Sequence, residues 1–213
     1  MTAYAALPTL KTFLNITDTA NDDILRLLLD TASRMVDNHC NRHFYMVTDT
    51  KYFSAEAEVR YDLSRLLAQK VEVKTRLWVP DLVSVITIKW DDDGDAVYEV
   101  ALVPTDYILW PWQGYPKAAI DLDLRQGGYS SWPQGQKAIE VAGVWGYDTA
   151  IPDPVAQATM LTAARLWKRK DTSFATVIAS PEMGGFEVYR GLDPDVKLML
   201  APYVKSKPYL GAI

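Results

Sequence analysis

Two histidines and one cysteine are the only imidazole and thiol groups in the chain, and they fall together as His39, Cys40 and His43. On a helix His39 and His43, four residues apart, would share a face. A structural zinc site takes four ligands, and a catalytic one usually three plus a water. This cluster supplies three groups at most, with no further histidine anywhere to complete it. A histidine meeting the last carbonyls of a helix that ends near Cys40 accounts for the pattern better. The acidic run Asp91-Asp-Asp-Gly94-Asp95 invites a calcium reading. Aligning Gly94 with the glycine of an EF-hand loop puts Lys89 at the first ligand position and Val100 at the last, and neither can bind the ion. A solvated hairpin turn fits these residues.

Nucleophilic catalysis lacks its parts. Gly128-Tyr-Ser130-Ser-Trp132 does not have the form of a nucleophile elbow, and no histidine follows His43. Asp121 and Asp123 would share a strand face, but their alternation with Ile120, Leu122 and Leu124 marks a solvent face rather than an acid–base pair. No phosphate-binding glycine loop or dinucleotide fingerprint is present. No catalytic, cofactor-binding or metal-binding residue is therefore expected. Lys168-Arg-Lys170 could touch phosphates, yet three cations closing a helix are ordinarily partners of its dipole. The seven tryptophans are Trp78, Trp90, Trp110, Trp112, Trp132, Trp145 and Trp167. Most are expected to fill a β core; Trp110-Pro-Trp112 is the pair hardest to bury together, and exposed indoles could form a sugar-stacking platform or an interface.

The elements that must position these residues begin with the stretch from Ile151 to Asp171. Asp153 is a good N-cap and Pro154 suits the first helical position. Val155, Ala158, Thr159, Thr162, Ala163 and Leu166 then recur at three- and four-residue steps on one face, much of it small enough for another helix to approach closely. The segment expected to cover that face lies more than a hundred residues earlier. It is Asn21 to Cys40, with Asn21 or Thr19 as cap and Ile24, Leu27, Leu28, Thr31, Met35 and Val36 as its apolar side. Leu7 to Ile16 reads as a short helix with Pro8 near its start, Leu10, Phe13 and Leu14 on one side and Asn15 as a plausible end.

Between the two long helices the period changes. Tyr52-Phe53, Val71 to Lys74, Ile86-Ile88-Trp90, Ile120-Leu122-Leu124 and Ile139-Val141-Val144-Trp145 read as strands, separated by Gly- and Pro-containing turns. Residues 45–147 are thus expected to form an antiparallel β domain of about six or more strands. Glu56 to Ala68 has helical spacing at Val59, Leu63, Leu66 and Leu67, which leaves a short helix open there. Thr172 to Gly191 reads as loop with one strand at Phe186 to Tyr189. Asp193-Pro194 opens a last short helix to Ala201 containing Val196, Leu198, Met199 and Leu200. The segment Tyr203 to Ile213 has apolar and aromatic residues without a core of its own, the composition of a tail that orders on docking. The fold class is α+β: a helical bundle from both chain ends (1–44 and 148–202), an inserted antiparallel β domain (45–147) and a docking tail (203–213).

Composition bounds the function. At 213 residues, with 49% hydrophobic residues, the chain can bury a substantial core without metals or disulfides. One cysteine fits a reducing compartment. No apolar run reaches the length of a membrane span, and MTAYAALPTLK lacks the pattern of a signal peptide. A net charge of −5 argues against a protein whose main task is gripping nucleic acid.

The order of these parts resembles the head–tail connector (adaptor) family of long-tailed bacteriophages and related gene-transfer particles. The resemblance is carried by Leu7 to Ile16 with Thr17-Asp18, Asp22 to Phe44 ending Cys40-Asn-Arg-His-Phe44, and Val79-Pro-Asp-Leu-Val-Ser-Val85. Asp106-Tyr-Ile-Leu109, Ile139 to Tyr147, Ile151 to Asp171 and Leu192 to Tyr203 complete it. It implies a non-enzymatic virion protein, made in the host cytoplasm and placed in the neck, without cofactors. It implies a homo-oligomeric, commonly dodecameric, ring under the portal protein, which receives a stopper or tail-completion protein on its other side. DNA would pass through the lumen without sequence-specific binding, and no membrane is involved. Carried onto this chain, Leu192, Met199, Tyr203, Tyr209, Leu210 and Ile213 match the portal-clasping region. Ile24, Leu27, Leu28, Met35, Val155, Thr159, Thr162 and Leu166 match the helical core. The departure from short family members is size, with Glu56 to Arg76 and Asp91 to Ala96 as expansions.

Two other classes remain as alternatives. A carbohydrate- or surface-binding module would rest on Trp110, Trp112, Trp132 and Tyr129, and an enzyme would rest on a carboxylate pair in the β domain. Within the virion class, a stopper or tail-completion protein of the same neck is the neighbouring reading.

Overall fold

A computed structural model describes residues 3–55, 58–62, 69–73, 75–126, 128–169, 177–180, 184–187 and 191–205; in 58–62, 69–73, 177–180 and 184–187 only the backbone is described. The chain divides into two compact units, one from Met1–Tyr45 with Ala150–Ile213 and one from Met46–Thr149. The class is α+β, with four α-helices and a six-stranded antiparallel sheet among the described residues. No helix among them is long and apolar enough to cross a membrane.

In the first unit α1 spans Leu7–Leu14 and α2 spans Asp22–Cys40. Both stop at an asparagine, Asn15 and Asn41, in the left-handed conformation (φ 57° and 55°). Asn is the non-glycine residue that adopts this cap most readily. The start of α2 at Asn21 has no side-chain cap; Asp18 instead accepts the N–H of Ala20, and Asp22 and Asp23 place negative charge on the first turn. α3 runs Asp153–Arg169, and α4 runs Pro194–Leu200 into a 3-10 turn at Ala201–Tyr203. Val155, Ala158, Thr159, Thr162 and Ala163 are buried as their spacing predicts, and Leu166 is half-buried. The hydroxyls of Thr159 and Thr162 donate to the carbonyls of Val155 and Ala158 (2.9 and 2.8 Å), so a buried threonine leaves no polar atom unpaired.

The buried side of α2 differs from the one its periodicity suggested. Leu25, Leu29, Ala32, Ser33, Val36 and Cys40 face inward, while Ile24 is 50% and Leu27 65% exposed; Leu28 and Met35 are half-buried. Leu10, Leu25, Leu29 and Ala32 pack with Ala163 and Ala164 of α3. Each fully buried leucine contributes about 1.5–3 kcal/mol relative to exposure. On α1, Leu10 is buried whereas Phe13 is 48% exposed. The segment expected to be loop with one strand contains a two-stranded hairpin, Val177–Ser180 with Gly184–Glu187.

In the second unit the strands are β1 (Val47–Phe53), β2 (Glu58–Asp62), β3 (Gln69–Val73), β4 (Arg76–Trp90), β5 (Val100–Leu102), β6 (Tyr107–Trp110), β7 (Lys117–Leu122) and β8 (Ile139–Trp145). β2 and β3 form a separate hairpin, so residues 58–62 are strand rather than the helix left open for this stretch. The large sheet has the order β1-β8-β4-β7-β6, with β5 also on β4. The fifteen-residue β4 holds it together: one edge pairs with β8, the other with β7 through Arg76–Leu82 and with β5 through Ile88–Trp90. Register shifts between Leu82 and Ser84 and between Val85 and Thr87 mark bulges. They explain why Ile86 is 56% exposed although Ile88 and Trp90, on its alternation, are buried. Gly143 of β8 sits against this bulged stretch, where an added Cβ would come within 2.7 Å of the Ser84 carbonyl oxygen. The core of this unit is built on Leu77, Leu82, Ile88, Ile120, Val141 and the indoles of Trp90, Trp132 and Trp145. Trp132 and Trp145 each donate their indole N–H to a carbonyl, of Thr75 and Asp49 (both 2.9 Å), which lets a large ring be buried without a polar cost.

Candidate functional site

Near the end of α2 a single tyrosine ties three segments of the helical unit together. Tyr4 is 4% exposed; its hydroxyl donates to Asp37 Oδ1 (2.5 Å) and accepts the backbone N–H of Phe44 (2.9 Å), while its own N–H donates to Ser33 Oγ (3.1 Å). Arg34 lies over the rings of Tyr4 and Tyr45 (5.4 and 5.0 Å) and pairs with Asp37 (3.2 Å). Burial, and then the Asp37 hydrogen bond, push the Tyr4 phenol well above its ordinary pKa; burial also raises the Asp37 carboxyl against the opposing pull of Tyr4 and Arg34. Phe44 meets Tyr203 edge-on (6.0 Å), and the N–H of Lys205 donates to the Cys40 carbonyl (2.8 Å). The end of the described chain is therefore fastened to the end of α2. Cys40 is fully buried, and burial pushes its thiol pKa up to about 11. His39 is partly buried and His43 stacks on Tyr45 (4.8 Å).

On the same unit α1, α3 and α4 border a groove of about 420 Å³. Phe13, Leu161, Ala164 and Val196 supply apolar wall, Arg165, Lys168 and Arg169 cations, and Asp193 and Asp195 anions. Arg165 is ion-paired with Asp193, which fixes the start of α4 against α3.

The residues expected to meet a portal divide. Leu192 is 7% exposed, so it supports α4 from inside rather than offering a contact. Met199 and Tyr203 are partly exposed. Tyr209, Leu210 and Ile213 lie outside the described residues. Leu198, one of the apolar residues of this last helix, is 75% exposed, because Val196 and Leu200, four apart, share the buried face and leave it on the opposite side. Ile24 and Leu27, expected in the helical core, instead form an apolar stripe on the outer side of α2.

The sheet unit carries a second exposed patch. Trp78 (59%), Trp110 (41%), Trp112 (74%) and Tyr115 (45%) are all open, whereas Trp132 is 1% exposed and packs on Trp90. The set Trp110, Trp112, Trp132 and Tyr129 does not make a common platform, because Trp132 belongs to the core and Tyr129 lies against Trp90. Trp78 and Trp110 meet edge-on (6.4 Å) with Arg76 over both rings (5.3 Å each). Arg76 is held by a bidentate pair with Asp121 (2.7 and 2.6 Å). That pairing explains Asp121, and Asp123 sits not on the strand but in the turn after it, where the N–H of Arg125 holds its carboxyl below the usual range. The turn also inverts the expected alternation, leaving Leu124 59% exposed.

Asp91, Asp93 and Asp95 bring carboxylate oxygens within 4.8 Å of one another. Their oxygens are engaged by the chain itself: Asp91 accepts from Gly94 and Ala96, Asp93 from Asp95, and Asp95 from Val97. These N–H groups, Gly94 first, hold the Asp91 carboxyl below its ordinary pKa. The arrangement is turn chemistry.

No curated protein matches the chain. Across the whole fold it is similar to a chain from the neck of an empty GTA particle computed with C6 symmetry (14% identity, 98% of this chain and 93% of that one, TM-score 0.57). It is likewise similar to a chain from the virion of a native gene transfer agent particle (15% identity, 98% and 93%, TM-score 0.53). Residues 4–74, from the tyrosine that pins α2 through the first three strands, match the model of the phage gp6-like head-tail connector family.

Proposed function

We propose that this chain is a structural virion protein of a phage-type neck: an adaptor that forms a ring under the portal vertex, links it to the next neck or tail protein and leaves a channel for DNA. The observation that carries the reading is the match of residues 4–74 to the gp6-like head-tail connector family. A fold shared along almost its full length with a chain of a GTA particle neck agrees with it. The C6 symmetry of that neck is compatible with a ring of twelve, the number we assign.

In this reading the helices of 1–44 and 148–202 form the bundle that builds the ring, 45–147 is an inserted β domain, and 203–213 is a docking tail. The outward stripe of Ile24 and Leu27 is where a neighbouring subunit packs, since apolar side chains this exposed on an otherwise polar helix face signal an interface. Met199, Tyr203, Leu198 and the tail beyond form the portal contact. A stopper or tail-completion protein takes the opposite side, and the lumen passes DNA without reading it. The net charge of −5 suits that role, because many neutralised phosphates would hold the DNA in place.

Mixing the purified protein with portal particles tests the reading. Binding is expected, and loss of binding on deleting Tyr203 to Ile213 would support the tail as a clasp; unchanged binding would remove that role. No binding by the full chain, with no ring on the portal, would sink the adaptor reading.

A further inference from the structure

The two outermost strands of the large sheet treat their free edges differently. β1 closes one side with Asp49 and Lys51 in its middle. The Asp49 carboxylate accepts the N–H of Thr50 and the Asp49 carbonyl accepts the indole N–H of Trp145 (both 2.9 Å). Charges and local bonds of this kind keep an edge from pairing with a foreign strand. β6 closes the other side as Tyr-Ile-Leu-Trp, with no charge.

Its pairing with β7 fixes which backbone groups are spare. The N–H of Asp123 donates to the Asp106 carbonyl (2.8 Å), and these two residues continue the register that sets Ile108 opposite Asp121 and Trp110 opposite Ala119. Antiparallel bonds recur at every second residue. Ile108 and Trp110 therefore exchange bonds with β7, and Tyr107 and Leu109 each turn an N–H and a carbonyl away from the sheet. Among the described residues no strand pairs with that edge. Tyr107 and Leu109 send their side chains to the core, which puts Ile108 and Trp110 on the opposite face with Trp78. Two cations lie on this side, and both are engaged within the chain: Arg76 with Asp121, and Lys117 with the carbonyls of Pro111 and Trp112 (2.8 and 3.3 Å).

We infer that β6 is a strand-addition site for an extended, uncharged segment of a different neck protein. That segment lies along Tyr107–Trp110, takes up the outward groups of Tyr107 and Leu109, and sets apolar side chains, spaced at every second residue, against Trp78 and Trp110. Exposed tryptophans beside an arginine are the residue types that dominate interface energetics. A second copy of this chain is the poorer occupant. Its β1 edge carries Asp49 and Lys51, and β6 laid on β6 makes a two-fold contact, whereas subunits of a ring meet head to tail. The inference rests on the neck reading proposed above.

The test uses assembled particles carrying a photo-cross-linking p-benzoylphenylalanine in place of Ile108, with the same group in place of Leu198 as a second probe. The isolated variants are first checked for unchanged circular dichroism. Position 108 is expected to cross-link to one short stretch of a different virion protein. The amides of Tyr107 and Leu109, which point away from β7, are expected to exchange at least about tenfold more slowly in the particle than in the isolated protein. Cross-links from position 108 to another copy of this chain or to a glycan, or none in particles that contain the chain, would overturn the strand-addition site while leaving the neck reading intact. Particles that lack the chain altogether would instead overturn the neck reading, and this inference with it.

Discussion

Replacing Tyr4 by phenylalanine deletes one oxygen and leaves the ring in place, so its consequences can be worked out from two bonds. The hydroxyl gives a hydrogen bond to a carboxylate, Asp37, and receives one from the N–H of Phe44, a residue only 1% exposed. A bond to a charged group is worth about 1.5–3 kcal/mol, and leaving a buried N–H without a partner costs about 1–3 kcal/mol. The two share one atom and do not add in full, so about 2–4 kcal/mol is expected at neutral pH. The pH dependence gives the sharper check. Asp37 already has a folded-state pKa raised by burial, with the Tyr4 bond holding it down. A carboxyl whose folded pKa lies above its unfolded value contributes stability below the unfolded pKa and loses it as pH rises through the folded one. Removing the Tyr4 donor raises the folded pKa further, so the destabilisation by Tyr4→Phe is largest at neutral pH and shrinks as acid protonates Asp37. Urea unfolding followed by helical circular dichroism at pH 7 and near pH 4.5 measures both values. A loss under about 0.5 kcal/mol at pH 7, or one that grows on acidification, would refute the account of this pin.

Four further outcomes are expected. Gly143→Ala drives a methyl to 2.7 Å from the Ser84 carbonyl and 3.0 Å from Leu82 Cδ1, and should cost about 1–3 kcal/mol in thermal or urea unfolding; Gly128→Ala, with nothing within 4 Å, is the matched control. Leu29→Ala, at a 2% exposed position, should destabilise the helical unit by about 2–5 kcal/mol. Leu27→Asp should leave the unfolding midpoint nearly unchanged and reduce ring formation on the portal, read by electron microscopy. Cys40, buried and with its thiol pKa pushed up to about 11, should resist a thiol reagent at pH 8 and react within minutes once urea unfolds the chain.

Much of the element order could be read from residue spacing, although the caps differ: α3 begins at Asp153 itself, with the Pro152 carbonyl taking the N–H of Ala156, and Asn21 and Asp193 make no side-chain cap bond. α3 opens on Asp153-Pro154 and closes on cations, and its five small or β-branched core positions are all buried. The face of α2 could not be read the same way. From Ile24 to Leu29 every residue but Arg26 is apolar, so two neighbouring stripes fit the helical period equally well. What decides between them is further along, where Ala32, Ser33 and Cys40 are small enough to lie close under neighbouring elements, whereas Leu27 leads to Thr31 and solvent. In the sheet, alternation failed at Ile86 and Leu124 because a bulge and a turn each shift the phase by one residue. The exposed tryptophans were visible as an unburiable pair at Trp110 and Trp112. That Trp78 joins Trp110 over Arg76 depends on the β4–β7–β6 order, which spacing within a single strand does not carry.

Val47, the first residue of β1, stands directly opposite Trp145, the last of β8. The polypeptide thus leaves the sheet beside the point where it came in. Without the sheet, bringing α2 to α3 means closing a loop of roughly a hundred residues; with β1 zipped to β8, about a dozen flexible residues remain to be closed. Loop entropy scales as 3/2 RT times the logarithm of length, so the shortcut is worth about 2 kcal/mol. Damage to the β1–β8 pairing should therefore be felt in the association of α2 with α3.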